Sequence, residues 1–534
     1  MKKNGFTLIE LLAVIVVLAV IALIATPLIM GVIANSQKGA AKDSAYAIIK
    51  AAELEMAKGT FSLPVSYTED SDLNYRGTKP TKMSLEIDEA GKTSIAAYID
   101  GYCVVKDSTQ EEVTIDESKK NETDCVAEVR NNIMIDVKEG MIPVVYDANG
   151  NPVKADIDQE WYNYDAKKWA NAVVVTSSSR ENYLKAGANT IIQEADILGY
   201  YVYIPRYKYQ LWNVNNEAKP EQEIKIVFER RSKAKSTGTK NGEWLTHPAF
   251  TFGTSELNGI WVGKFEMTGT NETPTIKPNQ KSLTAAISSD QNVAGAFKTI
   301  KSMQSNSYGI SSYDSHMMKN MEWGAIAYLT QSKYGRCTNG TCTEVWINNV
   351  NTGTGQTTGV QWGPSITGCS GTSASAEVKN NMTSCEAGRD YKQAGVNAST
   401  TGNITGIYDM SGGAWERTLG FLIDSNKEPI YSASGFNASN MPDLKYFDAY
   451  TITTGDYDYT KGKLGDATRE IIKTTAGNTA GWYDDRSYMP VVTGPWFYRG
   501  GSAHLNSEAG LFAIYRASGG NATNNGSRAV VVYE

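Results

Sequence analysis

From Leu11 to Ile24 every residue is apolar, and the apolar character resumes beyond Ala25-Thr26-Pro27 as far as Ala34. The stretch from Leu11 to Met30 holds 20 residues. Wound as a helix it would span about 30 Å, the hydrocarbon thickness of a bilayer. Lys2 and Lys3 precede it and favour a cytoplasmic start. Pro27 lacks an N–H and predicts a kink. A secretory signal peptide has a shorter apolar region followed by a small-residue cleavage site. Here the run is longer and the unusual residues come before it. A plain membrane anchor leaves Glu10 unexplained, because a carboxylate at the edge of such a run is costly without a partner.

The residues Gly5-Phe6-Thr7-Leu8-Ile9-Glu10-Leu11-Leu12 resemble the cleavage and methylation motif of type IV prepilins and pseudopilins. That resemblance implies a prepilin peptidase that cuts between Gly5 and Phe6, and methylation of the new Phe6 amine. It also implies that Glu10 pairs with the amine of a neighbouring subunit. The physics agrees, since a buried carboxylate beside a buried ammonium offsets part of each desolvation cost. The helix would sit in the membrane first and then pack against other pilin subunits. It should continue through Ala40–Met56, rich in helix formers, with Ala41, Ala45, Ile48 and Ala52 forming a small-residue stripe. Lys58-Gly59 reads as its stop.

The whole chain has 534 residues, 41% of them hydrophobic, and a net charge of −7. A nucleic-acid surface needs clustered Lys and Arg, so none is expected. The cysteines form three local pairs by spacing: Cys103 with Cys125, Cys337 with Cys342, and Cys369 with Cys385. All follow the apolar run, which suits disulfides in an oxidising compartment. Zinc is the weaker reading, because only Cys337 and Cys342 are tightly spaced and the chain has just 3 histidines.

Residues 60 to about 138 are polar and mixed, with one or two strands expected over Thr93–Val105. They have the size of a small pilin-type head. Beyond about residue 140, Trp, Tyr and Gly become frequent and turns many. Strand-like runs flank Pro205 between Leu198 and Trp212, and another covers Gly259–Met267. Helical spacing of Met318, Met321, Ala325, Tyr328 and Leu329 predicts a helix over Ser315–Thr330, with Asp314 or Ser315 as cap. On that helix His316, Lys319 and Glu322 read as a mixed-charge surface. His247-Pro248 reads as a structural turn. The Gly, Ser, Thr and Asn content of residues 353–384 suggests a long surface loop.

Two further runs carry a second resemblance. One is Gly406-Ile407-Tyr408-Asp409-Met410-Ser411-Gly412-Gly413-Ala414-Trp415-Glu416-Arg417-Thr418. The other is Trp496-Phe497-Tyr498-Arg499-Gly500-Gly501-Ser502, followed by Gly526-Ser527-Arg528 and the apolar close at Val532. They resemble the formylglycine-generating-enzyme, or sulfatase-modifying-factor, family, which implies a variant C-type lectin-like fold. The domain plan expected is a leader (1–5), a transmembrane or filament-core helix (6–34), an amphipathic helix and pilin-type head (35–138), and a lectin-like domain (139–534). The fold class is α+β.

The enzymes of that family use a cysteine pair late in the domain, and this chain has no cysteine after Cys385. Its 3 scattered histidines cannot build the iron site of related oxygenases. Gly413 stands where the family has Asn, which leaves a family-type calcium site without one of its residues. The chain is therefore expected not to be an enzyme and to need no cofactor. A structural Ca²⁺, if one binds, is expected at Asp456 and Asp458 or at Asp484-Asp485. In variable relatives the ligand face lies between the second run and the last strand. Here that stretch offers His504, Asn506, Glu508, Tyr515, Arg516, Ser518 and Asn521, aromatic and short polar groups of the kind adaptable binding loops use. A solvated edge with a Gly/Asn turn is the plainer alternative. The functional expectation is a minor pilin or tip adhesin, inserted in the cytoplasmic membrane and then extracellular, with a surface or glycan as ligand. A pseudopilin-like part of a secretion or DNA-uptake system is the second reading, and an extracellular enzyme the third.

Overall fold

The structure is a computed structural model. It describes residues 8–534 except 59–64, 70, 72, 88–90, 107–109, 128–132, 139, 158, 232–233, 279, 281, 286, 349–361, 364–390, 393, 475–476 and 503–507. It is α+β, with an N-terminal helix and mostly antiparallel strands. The chain divides into two compact units, residues 1–132 with 232–234, and residues 133–231 with 235–534.

In the first unit, helix α1 runs Leu8–Ala57, 50 residues without a break. Its two halves differ in what they bury. The described large apolar side chains between Leu8 and Ile33 are exposed, Leu23 by 78%. In the second half Ala41, Ala45, Ile48, Ile49 and Ala52 are buried, so the small-residue stripe is the packing face. They lie against a five-stranded antiparallel sheet: β1 (Val65–Thr68), β2 (Lys82–Ile87), β3 (Thr93–Ile99), β4 (Tyr102–Lys106) and β5 (Thr114–Ile115). Alternate residues of β2 (Met83, Leu85 and Ile87) turn inward, as the strand period of two requires. β3 and β4 are joined at Asp100 (φ 51°) and Gly101 (φ 85°), the left-handed pair a two-residue hairpin needs. Tyr46 Oη accepts from the Val113 N–H at 2.9 Å, and Ser44 Oγ from Thr78 N–H at 3.0 Å, fixing the helix to the loops. The Cys103–Cys125 disulfide ties β4 to the helix Glu122–Ala127. Among the described residues no helix is long and apolar enough to cross a membrane. The side chains at positions 10, 22, 24, 25, 27 and 28 lie outside the described set, and the apolar run passes through them.

Two large sheets dominate the second unit, beside a three-stranded sheet and small two-stranded ones. Seven antiparallel strands lie in the spatial order Asp314–Met317, Ala529–Val532, Gly259–Gly263, Ile197–Pro205, Asn171–Val175, Ile142–Tyr146, Pro152–Lys154. Asn171–Val175, Gly259–Gly263 and Ala529–Val532 are buried at every residue, which explains their unbroken Val, Ile and Trp content. A second sheet centres on Trp415–Ile423. It pairs in parallel with Asp448–Thr451 and Asn525–Ser527, and antiparallel with Trp496–Arg499, which in turn pairs with Ile514–Ala517. The Cys337–Cys342 disulfide closes a short hairpin. Cys369, Cys385 and most of the expected loop 353–384 lie outside the described residues.

Residues 315–330 depart from the expected single helix. Asp314–Met317 is a strand paired with Ala529–Val532, and the helix starts only at Asn320 and ends at Thr330. Every residue of that helix is buried, so His316, Lys319 and Glu322 do not form a surface. They are satisfied internally. Glu322 accepts from the Lys319 N–H at 2.8 Å and lies 3.1 Å from His316 Nε2, whose ring stacks on Phe252. His247 is structural, as expected: its ring caps Pro248–Phe250 and its Nε2 meets the Gly465 carbonyl at 2.8 Å. Burial lowers it to about 3, so it stays neutral.

The same core carries a pH dependence. Glu470 is fully buried, accepting from Tyr328 Oη at 2.7 Å and from the Gly465 N–H at 2.6 Å. Burial, aided by nearby Asp466, raises it to about 7. Burial alone would lower His316, but the carboxylates of Glu322 and Asp314 raise it. Both folded values exceed the unfolded ones. Their stabilisation is therefore complete below the unfolded values and is lost as pH rises, through about 7 for Glu470. Thermal unfolding of the full chain in detergent should show lower stability at pH 8 than at pH 5. For Glu470 the loss is on the order of 3 kcal/mol. Glu470→Gln should flatten that decline, and a stability rising from pH 5 to pH 8 would contradict the assignment.

Candidate functional site

Strand Ile514–Ala517 is the last of its sheet, and only Ile514 in it is buried. Its free side meets residues 486–488, where Ile514 N–H donates to the Arg486 carbonyl at 2.7 Å and Tyr488 N–H to the Ile514 carbonyl at 3.0 Å. Strand geometry sends Arg486 and Tyr488 to one face. There they join side chains from distant parts of the chain. Tyr515 stacks on Trp415 with centroids 5.0 Å apart and meets Tyr488 edge-on at 5.8 Å. Tyr457 lies 5.6 Å from Tyr488. The Arg486 guanidinium is 5.5 Å from the Tyr515 ring, and that of Arg516 is 5.2 Å from Tyr488. Arg516 pairs with Asp456 at 2.7 Å, and Arg486 donates through Nε to Glu508 at 2.7 Å. The result is a partly exposed face of alternating rings and guanidinium groups, held in place by two carboxylates. Such a face stacks on planar or apolar partners and donates hydrogen bonds to carboxylates and hydroxyls.

Of the residues singled out in the sequence, Glu508, Tyr515 and Arg516 come together here. Glu508 acts inwardly, holding Arg486. Ser518 follows on the same segment, where its carbonyl accepts from Ala433 N–H at 3.0 Å. Asn521 is exposed beyond it and outside the ring cluster. His504 and Asn506 lie outside the described residues, as do Gly5 and Phe6; Glu10 belongs to α1. Arg486, Tyr488, Tyr457 and Trp415 were not anticipated. The Arg486–Tyr488 spacing of two was the available signal, but an alternating pair acquires meaning only beside another strand.

The residues considered for Ca²⁺ have other partners. Asp456 holds Arg516, Asp458 accepts from Thr454 N–H at 2.9 Å, Asp484 pairs with Lys473, and buried Asp485 accepts from Phe512 N–H at 2.8 Å. Among the described residues no group of three or more His, Cys, Asp or Glu is arranged to hold a metal.

Beneath the face, the run 406–418 contributes to a buried cluster of carboxylates. Arg528 Nε shares its hydrogen between the two Glu416 oxygens, at 3.1 and 2.9 Å, and Nη2 also donates to Glu416. Arg528 also donates to the carbonyls of Gly263 and Tyr408 at 2.8 and 2.9 Å. Glu266 accepts from the Ala414 N–H at 2.8 Å and from Ser282. Burial, then the neighbouring charges of Asp409 and Glu416, push Glu266 well above the usual range; burial also raises Asp409. Gly413 is explained here. Its φ is 71°, and a Cβ would stand 2.3 Å from Glu266 Oε1. A larger residue there would push the Glu266 carboxylate aside and strain the backbone, and the Arg528 guanidinium lies among these carboxylates.

Residues 1–26 match the prokaryotic N-terminal methylation motif. None of the curated proteins matches the chain. The chain thus has a type IV prepilin-like N-terminus, which is consistent with processing by a prepilin peptidase and with pilin assembly.

Proposed function

We propose that the chain is a minor pilin or tip adhesin of a type IV filament. One observation carries the reading: an N-terminal methylation motif is joined, in one chain, to a large folded unit presenting the Tyr457, Tyr488, Tyr515, Arg486 and Arg516 face. The exposed apolar half of α1 supports insertion in the membrane and then packing in a filament, since a helix apolar all round needs lipid or other helices around it. The second unit is read as a lectin-like display domain outside the cell, with no catalytic role. Its bulk suits a tip or sparse position better than a tightly repeated one.

The test compares adhesion to host surfaces, mucin and glycan arrays for cells carrying the wild-type chain and a Tyr515→Ala/Arg516→Ala variant. A single hot-spot Tyr or Arg in an interface is worth about 2 kcal/mol, so adhesion should fall by about thirtyfold or more if either residue is such an anchor. The variant should still enter filaments. Unchanged adhesion, combined with loss of secretion or DNA uptake on deletion, would instead establish the pseudopilin-like role. Oxidation of a sulfatase-type peptide by the chain would establish the enzymatic one.

A further inference from the structure

A cleft of about 570 Å³ shares no lining residue with the ring face and is lined by Lys167, Arg336, Thr338, Glu344, Trp346 and Asn397 among others. Its volume is within the usual range for small-ligand sites. The local chain conformation builds it. Lys167 sits at φ 59° in a turn closed by reciprocal hydrogen bonds between Asn163 and Lys168, each 2.8 Å. Its Nζ donates to the Cys337 carbonyl and to Thr338 Oγ1, both at 2.9 Å. The Cys337–Cys342 disulfide pins that hairpin. Arg336 donates through Nη2 to the Glu344 carbonyl at 2.9 Å, and Trp346 N–H donates to the Asn397 carbonyl at 3.0 Å. Trp346 is half-buried against the core and leaves part of its surface to the cleft.

The charges here are unbalanced. Burial lowers Arg336, and burial followed by the repulsion of Arg336 lowers Lys167. Glu344 offsets them only weakly, because burial, and then the charges of Asp485 and Asp484, raise it toward its neutral form. Two mutually repelling cations therefore share a partly desolvated cleft in a chain whose net charge is −7. An anion placed between them would relieve the repulsion and gain charge-assisted hydrogen bonds. The rest of the lining narrows the choice. Hydroxyls of Thr338, Thr341, Thr343 and Thr401 suit a ligand rich in hydroxyls, and an indole wall suits the apolar face of a ring.

We infer that this cleft binds an acidic monosaccharide unit, with its carboxylate between Arg336 and Lys167 and its ring against Trp346. The inference does not depend on the adhesin reading, because the cleft shares no residue with the Tyr515 face.

The test is isothermal titration and saturation-transfer NMR on the full chain in detergent, with glucuronate and N-acetylneuraminate as probes and glucose and inorganic phosphate as controls. At least one acidic sugar should bind saturably, at least tenfold tighter than glucose or phosphate. Affinity should fall tenfold or more in Lys167→Gln and in Arg336→Gln. Lys167 is part-exposed and, among the described residues, its side chain bonds to the hairpin alone, so Lys167→Gln decides the matter if Arg336→Gln fails to fold. Absence of saturable binding, equal binding of glucose or phosphate, or full affinity in a folded Lys167→Gln variant each overturns the inference.

Discussion

A Gly5→Val chain should accumulate in the membrane with its leader attached and be missing from sheared filaments. On the proposed cut between residues 5 and 6, the peptidase must bring that bond into its site, and Gly5 before it is the smallest residue available. A branched side chain there should reduce processing by at least tenfold, read as the ratio of precursor to mature chain on gels and by intact mass. Glu10→Val separates cleavage from assembly. The mature chain should form but fail to enter filaments, because the ammonium of its neighbour would lose the carboxylate that offsets its desolvation. Normal filament incorporation of both variants would remove the basis for an assembly role of these residues.

Arg528→Met should be the most destabilising single substitution in the second unit. The guanidinium is fully buried and is the fixed positive charge beside Glu416, with Asp409 and Glu266 close enough to influence its charge state. Met keeps much of the volume but strands the Glu416 carboxylate and two backbone carbonyls. Removing one partner of such a buried pair costs about 3–5 kcal/mol. Urea unfolding followed by tryptophan fluorescence should show that loss, with Glu416→Gln in the same chain recovering part of it, since the two residues act as a unit. A loss below about 1 kcal/mol for Arg528→Met would show that the cluster is not organised by the guanidinium.

Local features of the fold were legible where local chemistry decides them. The stripe Ala41, Ala45, Ile48 and Ala52 reads directly as the buried side of α1, because helical periodicity repeats within a few residues. The run Thr93–Val105 was legible as one or two strands, and Asp100-Gly101 supplies the turn that makes it two; the cysteine spacings match both disulfides among the described residues. Residues 315–330 show where this fails. Their apolar spacing suits a helix, yet Asp314–Met317 becomes a strand because Ala529–Val532 offers a ladder, over 200 residues away. Periodicity carries no trace of such a partner. Burial of His316 and Glu322 was hidden for the same reason, since mixed charge normally marks a solvated face and only their mutual pairing makes the interior acceptable. At the candidate site, Tyr515 and Arg516 were visible as residue types suited to binding. Arg486, Tyr488 and Tyr457 reach them from separate loops, so their meeting is a property of the sheet edge. The role of Gly413 became clear only once Glu266 was placed against it.

The central claim, that this chain is a filament subunit carrying a display domain, is tested most directly by mass spectrometry of filaments sheared from the cell surface. Those filaments should contain a chain beginning at N-methylated Phe6, far less abundant than the major subunit and complete through the second unit. A chain absent from that fraction, or found only with Met1 still attached, would contradict it.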